Sequence, residues 1–241
     1  MKKITIILLG FTLLVGTACK KDKDSTPSVG TPTKVCLITK DSSSDGDFTN
    51  YFYNSSKQLT STVAYGPLDT SGILSTYTYL GNKVTITNNR QLFQTVVCYL
   101  NANGLADSVN FYGLAVFVFK YNSAREPIET TMNRDLNGTP IKEINTYQWS
   151  NGNMVKSLDH RTDIGETNYE YYLDKINLSS KSEGAGQFYK TSKNLVKKAT
   201  LSDGSFYNYT YEFDASGKVT KKTIHINSTH FDTSQITWTC K

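Results

Sequence analysis

Tyr207-Asn208-Tyr209-Thr210-Tyr211-Glu212-Phe213-Asp214-Ala215-Ser216-Gly217-Lys218-Val219 reads as one strand, one tight turn and the start of a second strand. Tyr207, Tyr209, Tyr211 and Phe213 fall on one side and Asn208, Thr210 and Glu212 on the other. That is the period of two of a pleated strand, not the 3.6 of a helix. Looser copies precede it: Tyr51-Phe52-Tyr53 runs into Asn54-Ser55-Ser56-Lys57 and Leu59, Cys98-Tyr99-Leu100 into Asn101-Ala102-Asn103-Gly104, and Phe119-Lys120-Tyr121 into Asn122-Ser123-Ala124-Arg125. Tyr147-Gln148-Trp149 precedes Ser150-Asn151-Gly152, Tyr169 to Leu173 precedes a turn at Asp174-Lys175, and Phe188-Tyr189-Lys190 reads as a further strand end. The turns recur about every 19 to 28 residues, the length of a hairpin with its return. Asp203-Gly204 reads as a two-residue turn. The expected fold is all-β: an antiparallel meander of repeated hairpins, about 16 strands, curled into a half-barrel or a closed soluble β-barrel spanning residues 34–241 as one domain.

Composition agrees with strands. Tyr 16 and Phe 11 outnumber Trp 2 and Met 3, a set suited to half-buried pleated surfaces. The formal charge of +5 includes Lys2 and Lys3, which belong to a segment expected to be removed. The remainder is nearly balanced and has no basic block with interleaved aromatics, so nucleic acid is not an expected partner. Lys142, Glu143, Lys156, Glu170, Lys197, Lys198, Lys221 and Lys222 lie in apparent strands, which argues for a sheet in water. Leu114 to Phe119, apolar on both faces, reads as a central strand covered on both sides.

The N-terminus carries an address. Lys2-Lys3, the short apolar run Ile4 to Val15 and the small residues Gly16-Thr17-Ala18 before Cys19 have the form of a secretory signal, residues 1–18. Gly16-Thr17-Ala18-Cys19 resembles the bacterial lipobox, with Gly16 where that pattern usually has Leu. The resemblance implies cleavage before Cys19, acylation of Cys19 and attachment to the membrane through that lipid. Residues 19–33 then form a polar, Pro- and Gly-punctuated tether that reaches roughly 45 to 50 Å when extended. The mixed Lys/Asp run Lys20 to Asp24 is similar to the surface-export signal of Bacteroidota lipoproteins, which implies outward display on the outer membrane, the periplasmic face being the alternative.

Tyr211 to Val219 also resembles the Tyr-Asp repeats of Rhs-type proteins. With the lipobox, residues 34–241 are similar in pattern to Bacteroidota surface lipoproteins of porin-like fold. That resemblance implies a curved or closed meander and brings no catalytic residues with it.

Candidate chemistry is sparse. Cys36 lies in the first expected strand and Cys240 in the last, so a closing barrel brings them within disulfide reach; otherwise they and Cys98 are small buried hydrophobes. Asp41-Ser42-Ser43-Ser44-Asp45-Gly46-Asp47 begins like a calcium loop but has Phe52 where the bidentate acid belongs, so a polar hairpin loop is expected. His225 and His230, five apart in one strand, are expected on opposite faces, and Asp159-His160 lacks a nucleophile motif. No metal or cofactor is expected. Tyr207, Tyr209, Tyr211 and Phe213 are the candidate binding aromatics, because a phenol-rich face can stack a sugar ring or hold a peptide. The expected function is a non-enzymatic binding or structural role for a monomeric lipoprotein. A polysaccharide hydrolase or its accessory, and a barrel carrying a small apolar ligand, are the rivals.

Overall fold

The computed structural model describes residues 35–67, 69–90, 95–136, 139–160, 165–178 and 188–240. The signal segment, Cys19 and the tether lie outside these residues. Sixteen strands follow in order: β1 Cys36–Ser43, β2 Phe48–Tyr53, β3 Leu59–Gly66, β4 Asp69–Leu80, β5 Lys83–Asn88, β6 Thr95–Leu100, β7 Ala106–Phe111 and β8 Ala115–Tyr121. The second half comprises β9 Pro127–Leu136, β10 Thr139–Ser150, β11 Asn153–Asp159, β12 Glu166–Ile176, β13 Asn194–Leu201, β14 Phe206–Phe213, β15 Val219–Ile226 and β16 Thr229–Cys240. Each pairs antiparallel with its sequence neighbours, and β1 pairs β16, so the sheet is a closed barrel. One rim carries both chain ends and the turns leading into the odd strands; it is the terminal rim. The turns leading into the even strands make the far rim.

Four turns of the terminal rim repeat one geometry, while Gly81-Asn82 and Asn151-Gly152 make two-residue turns. In the copies that begin at Asn54, Asn101, Asn122 and Asp214, the first carbonyl accepts from the fourth N–H at 2.9 to 3.0 Å. The first residue's Oδ1 accepts from the fifth N–H at 2.9 to 3.2 Å. The fourth residue, Lys57, Gly104, Arg125 or Gly217, has φ between 63° and 80°, namely 64°, 74°, 63° and 80°. This is the three-residue hairpin loop, a turn closed by a left-handed residue, and the Asn or Asp side chain locks it. The Asp203-Gly204 turn has the same backbone: Gly204 N–H donates to the Leu201 carbonyl at 3.0 Å and Leu201 N–H to Ser205 at 2.9 Å. It is therefore a three-residue loop and not the expected two-residue one.

An aromatic residue near the terminal-rim end of seven of the eight even strands has a defined task. Ladders between successive terminal-rim hairpins stop short of the rim; β1 and β2 pair only over Lys40–Ser42 and Phe48–Asn50, β13 and β14 only over Lys198–Thr200 and Phe206–Asn208. Across seven of these gaps a side chain donates to the carbonyl stranded on the facing strand, at 2.5 to 3.0 Å. The pairs are Tyr53 to Ile38, Tyr79 to Leu59, Tyr121 to Ala106, Trp149 to Pro127, Tyr171 to Met154, Tyr211 to Val196 and Trp238 to Val219. Each bond contributes about 1 kcal/mol and spares a buried carbonyl. The eighth gap proves the rule by its departure: Leu100 stands before that turn, and the β5–β6 ladder runs on to the rim, with Leu100 N–H donating to the Asn82 carbonyl at 2.7 Å. In the Tyr207–Val219 copy the last aromatic is Phe213, which has no hydroxyl, and Tyr211 two residues earlier takes the bond.

β16 and β1 form an eighth hairpin that has no turn. Cys36 and Cys240 face each other in register and are joined by a disulfide, S–S 2.06 Å and Cα–Cα 3.9 Å, where the other hairpins have their loop. Near the start of the odd strands lies a ring of buried residues, among them Ile38, Leu59, Val84, Ala106, Leu195 and Val219. Strand alternation from these positions defines the inner face.

Four more expectations change. Leu114 to Phe119 is covered on one side only: Phe117 and Phe119 pack inward, while Val118 is exposed on the wall. Alternation cannot tell an apolar outer wall from a second buried face. Asp174-Lys175 is no turn, because β12 runs on to Ile176. Phe188 to Lys190 is not a strand but the end of the β12–β13 connection, folded into the barrel. His225 and His230 lie on different strands, opposite each other in the β15–β16 register, because a two-residue turn intervenes.

Candidate functional site

The interior differs between its two halves. At the terminal rim it is filled. Val84, Cys98, Ala106, Val109 and Phe188 form a buried cluster, with Tyr79, Phe119 and Tyr189 packed around it. Phe188 meets Tyr79 at 6.5 Å between ring centroids and Tyr189 meets Phe119 at 4.8 Å. The Lys190 ammonium donates to the Ala124 carbonyl at 2.9 Å and pairs with Glu126 at 3.2 Å. Lys193 N–H donates to the Gly152 carbonyl at 2.9 Å, and the chain then enters β13. Phe188 rests on β4 to β7, half a turn of the barrel away from β13, so residues 188–193 cross the lumen as a plug. Burial there pushes the Cys98 thiol up to about 11.

Toward the far rim the inner wall is polar and partly exposed. Register places three rows side by side: Tyr169, Ala199, Tyr207 and Ile226; Tyr209, Ile224 and Asp232; Tyr211, Lys222, Ser234 and Ser43. Asp41 on β1 completes the group. Burial raises its carboxyl above the ordinary carboxylate value, Lys222 opposes that rise and Asp232 adds to it. Its Oδ1 is buried and has no hydrogen-bond partner. A cavity of 370 Å³ opens beside it, lined among others by Ser43, Thr49, Ile73 and Ser234. Ser44 Oγ donates to Asp232 Oδ1 at 3.2 Å. Tyr169 shares a hydrogen bond with Ser157 at 3.2 Å, and burial, with Tyr169 and Tyr207 nearby, raises the Tyr209 phenol. On the facing wall Arg134 pairs with Glu143 at 2.8 Å, and Asn145 Oδ1 is buried without a partner.

The four aromatics singled out by sequence share the inner face, but their surroundings differ. Tyr211 is committed to the Val196 carbonyl and Phe213 lies at the terminal rim with the Lys175 ammonium 5.5 Å from its ring centre. Tyr207 and Tyr209 hold inner-face register positions toward the far rim, opposite Ile226 and Ile224. Asp41, Lys222, Asp232 and Tyr169 were not expected there: Asp41 and Asp232 come together only through the β1–β16 closure, and no local pattern announces that. In the sequence Asp41 heads the calcium-like stretch, which is a plain hairpin in which Gly46 N–H donates to the Ser43 carbonyl. Among the described residues no group of three or more His, Cys, Asp or Glu side chains is placed to hold a metal.

The fold and its interior thus define a closed sixteen-strand antiparallel barrel, filled at the terminal rim and polar toward the other. No family model and no curated protein matches the chain. Among solved structures the chain is similar to a porin-like protein from Bacteroides uniformis ATCC 8492, with TM-score 0.63 and 17% identity over 85% of this chain and 96% of that one. A porin-like protein from Bacteroides vulgatus ATCC 8482 aligns with TM-score 0.56 and 12% identity over 83% of this chain and 98% of that one. At such identities the likeness is one of fold.

Proposed function

We propose that the protein is a lipid-anchored barrel that stands in water at the outer membrane and binds a glycan, without catalysing a reaction, in the chamber toward its far rim. The observation that carries this is the row arrangement of Tyr169, Tyr207 and Tyr209 beside Asp41, Lys222 and Asp232. Aromatic rings offer stacking faces for a sugar, and charged and hydroxyl groups around them offer partners for its hydroxyls. The plug argues against a through-channel. The outer wall argues for water: Lys120–Glu129, Lys156–Glu166 and Lys221–Glu212 pair at 2.6 to 2.8 Å on outward positions of the strands, where a lipid band would exclude charge.

A glycan array on the purified protein tests the binding. Selective binding that is lost in Tyr207→Ala/Tyr209→Ala, with the barrel's β-sheet spectrum intact, is the expected result; binding untouched by that variant sinks the site, and selective capture of peptides in place of glycans replaces the ligand class. Palmitate labelling of the wild type and of Cys19→Ala tests the anchor. One observation favours a hydrolase as the second reading: Asp41, raised by burial, lies near a second carboxylate, Asp232. Product release from bound glycans that stops in Asp41→Asn would establish it.

A further inference from the structure

We infer that the terminal rim is a lipid-docking surface: it rests on the headgroup–acyl boundary of the anionic phospholipid bilayer that holds the anchor, and the chamber therefore opens away from the membrane. The inference rests on the lipid anchorage proposed above.

Three independent features meet at this rim. First, the tether enters the barrel here. Lys34 is bonded to Val35, which precedes β1 at the terminal rim, so acylation at Cys19 holds this end within tether reach of the bilayer.

Second, large apolar side chains project here into water. Leu173 is 79% exposed, Leu80 76%, Ile176 60% and Leu178 46%. Three of these come from one segment. The β12–β13 register passes directly from Tyr172 opposite Leu195 to Ile176 opposite Asn194, so Leu173 to Lys175 have no counterpart and bulge out of the ladder. A bulge that exposes leucine and isoleucine has no folding advantage in water, whereas it suits insertion at an interface.

Third, the rims differ in charge. Glu126, Asp174 and Asp214 at the terminal rim are each paired with a lysine, Lys190, Lys175 and Lys218. Lys57, Lys83, Arg125 and Lys193 come in addition, and Asp107 is the acid that faces them. Among the described residues the far rim carries Asp45, Asp47, Asp135, Asp159 and Asp203 against Arg90 and Arg134, the latter paired with Glu143. An anionic surface attracts the first rim and repels the second. A second copy of the chain is the poorer occupant, because two basic rims repel. The filled terminal interior also gives the bilayer a continuous surface to meet.

Environment-sensitive fluorophores on Ile176→Cys and Asp45→Cys report the two rims separately, since Cys98 is buried and Cys36 and Cys240 are bonded to each other. In acylated protein reconstituted into phosphatidylcholine–phosphatidylglycerol vesicles, the label at 176 shifts to the blue and is quenched by spin-labelled lipid, while the label at 45 does neither. Labels that stay equally wet on a protein that is acylated and floats with the vesicles overturn the docking and leave the anchor standing. A second arm needs no anchor. Full-length Cys19→Ala protein floats with phosphatidylglycerol-containing vesicles in a salt-sensitive manner, and adding Leu173→Glu/Ile176→Glu lowers the partition roughly tenfold or more. No phosphatidylglycerol-dependent partition overturns the docking whatever the fate of Cys19, and absent acylation in the wild type overturns the anchor alone.

Discussion

A tyrosine in this barrel does different work according to which carbonyl it can reach. Tyr121 donates to the Ala106 carbonyl at 2.6 Å across a gap between hairpins, whereas Tyr99 sits on the outer wall, 43% exposed. Tyr121→Phe should therefore cost about 1 to 3 kcal/mol in chemical denaturation, because it strands a carbonyl, and Tyr99→Phe close to nothing. Equal costs would show that the bridging bond is incidental. Asp41 gives a pH signature. Burial raises its carboxyl, so folding favours the protonated form and the folded state binds more protons than the unfolded one. Stability contributed by this group is present at low pH and falls as pH rises through the window between its unfolded and its raised folded value. Asp41→Asn should therefore be more stable than the wild type near neutrality, the difference vanishing in acid; a variant less stable at neutral pH would mean that the Lys222 attraction outweighs burial. Cys98, with its thiol pushed up to about 11 and Phe188 packed against it, should resist alkylation in native protein at pH 8. Phe188→Ala should expose it, and a rate unchanged in that variant would argue against the plug.

At the scale of the hairpin, the turn sequence decides local cost. The fourth turn position is left-handed in every copy, yet it is filled by Gly217 at φ 80° in one and by Arg125 at φ 63° in another. A left-handed residue with a side chain costs about 1 kcal/mol or slightly more, so Arg125→Gly should raise stability and Gly217→Ala lower it, each by about 1 kcal/mol in equilibrium unfolding. A loss of stability in Arg125→Gly would show that its side chain contributes more than its backbone costs. The β16–β1 hairpin lacks any turn and relies on the disulfide across a sequence separation of 204. Cross-linking so long a loop removes unfolded-state entropy worth up to about 5 kcal/mol. Cys36→Ser/Cys240→Ser should unfold about 2 to 5 kcal/mol more readily, and identical reduced and oxidised melting curves for the wild type would refute the assignment. The repeating hairpin was legible in Tyr207–Val219 because alternation and an Asp-x-x-Gly turn are local. The role of its tyrosines was not, because the acceptor carbonyl belongs to another hairpin, as with Tyr211 and Val196, and its distance along the chain varies from copy to copy. Phe188 to Lys190 is illegible for the same reason: an aromatic, a lysine and a turn read alike whether the segment joins the wall or crosses the lumen.

For the whole molecule, number and alternation of strands sufficed to expect a meander of about sixteen, since each strand's period and each turn's chemistry reside in neighbouring residues. Sequence by itself thus determined most of the elements, the antiparallel order and the presence of a lipobox-like stretch before a polar tether. Only the tertiary structure decided that the meander closes, that β1 pairs β16, that Cys36 meets Cys240 and that Asp41 comes near Lys222 and Asp232 beside the tyrosine rows of β14. It alone also showed which of the described charges each rim carries. The physical reason is the range of the interactions: pleat and turn are set within a few residues, whereas closure depends on the accumulated twist and register of sixteen ladders, to which every bulge contributes.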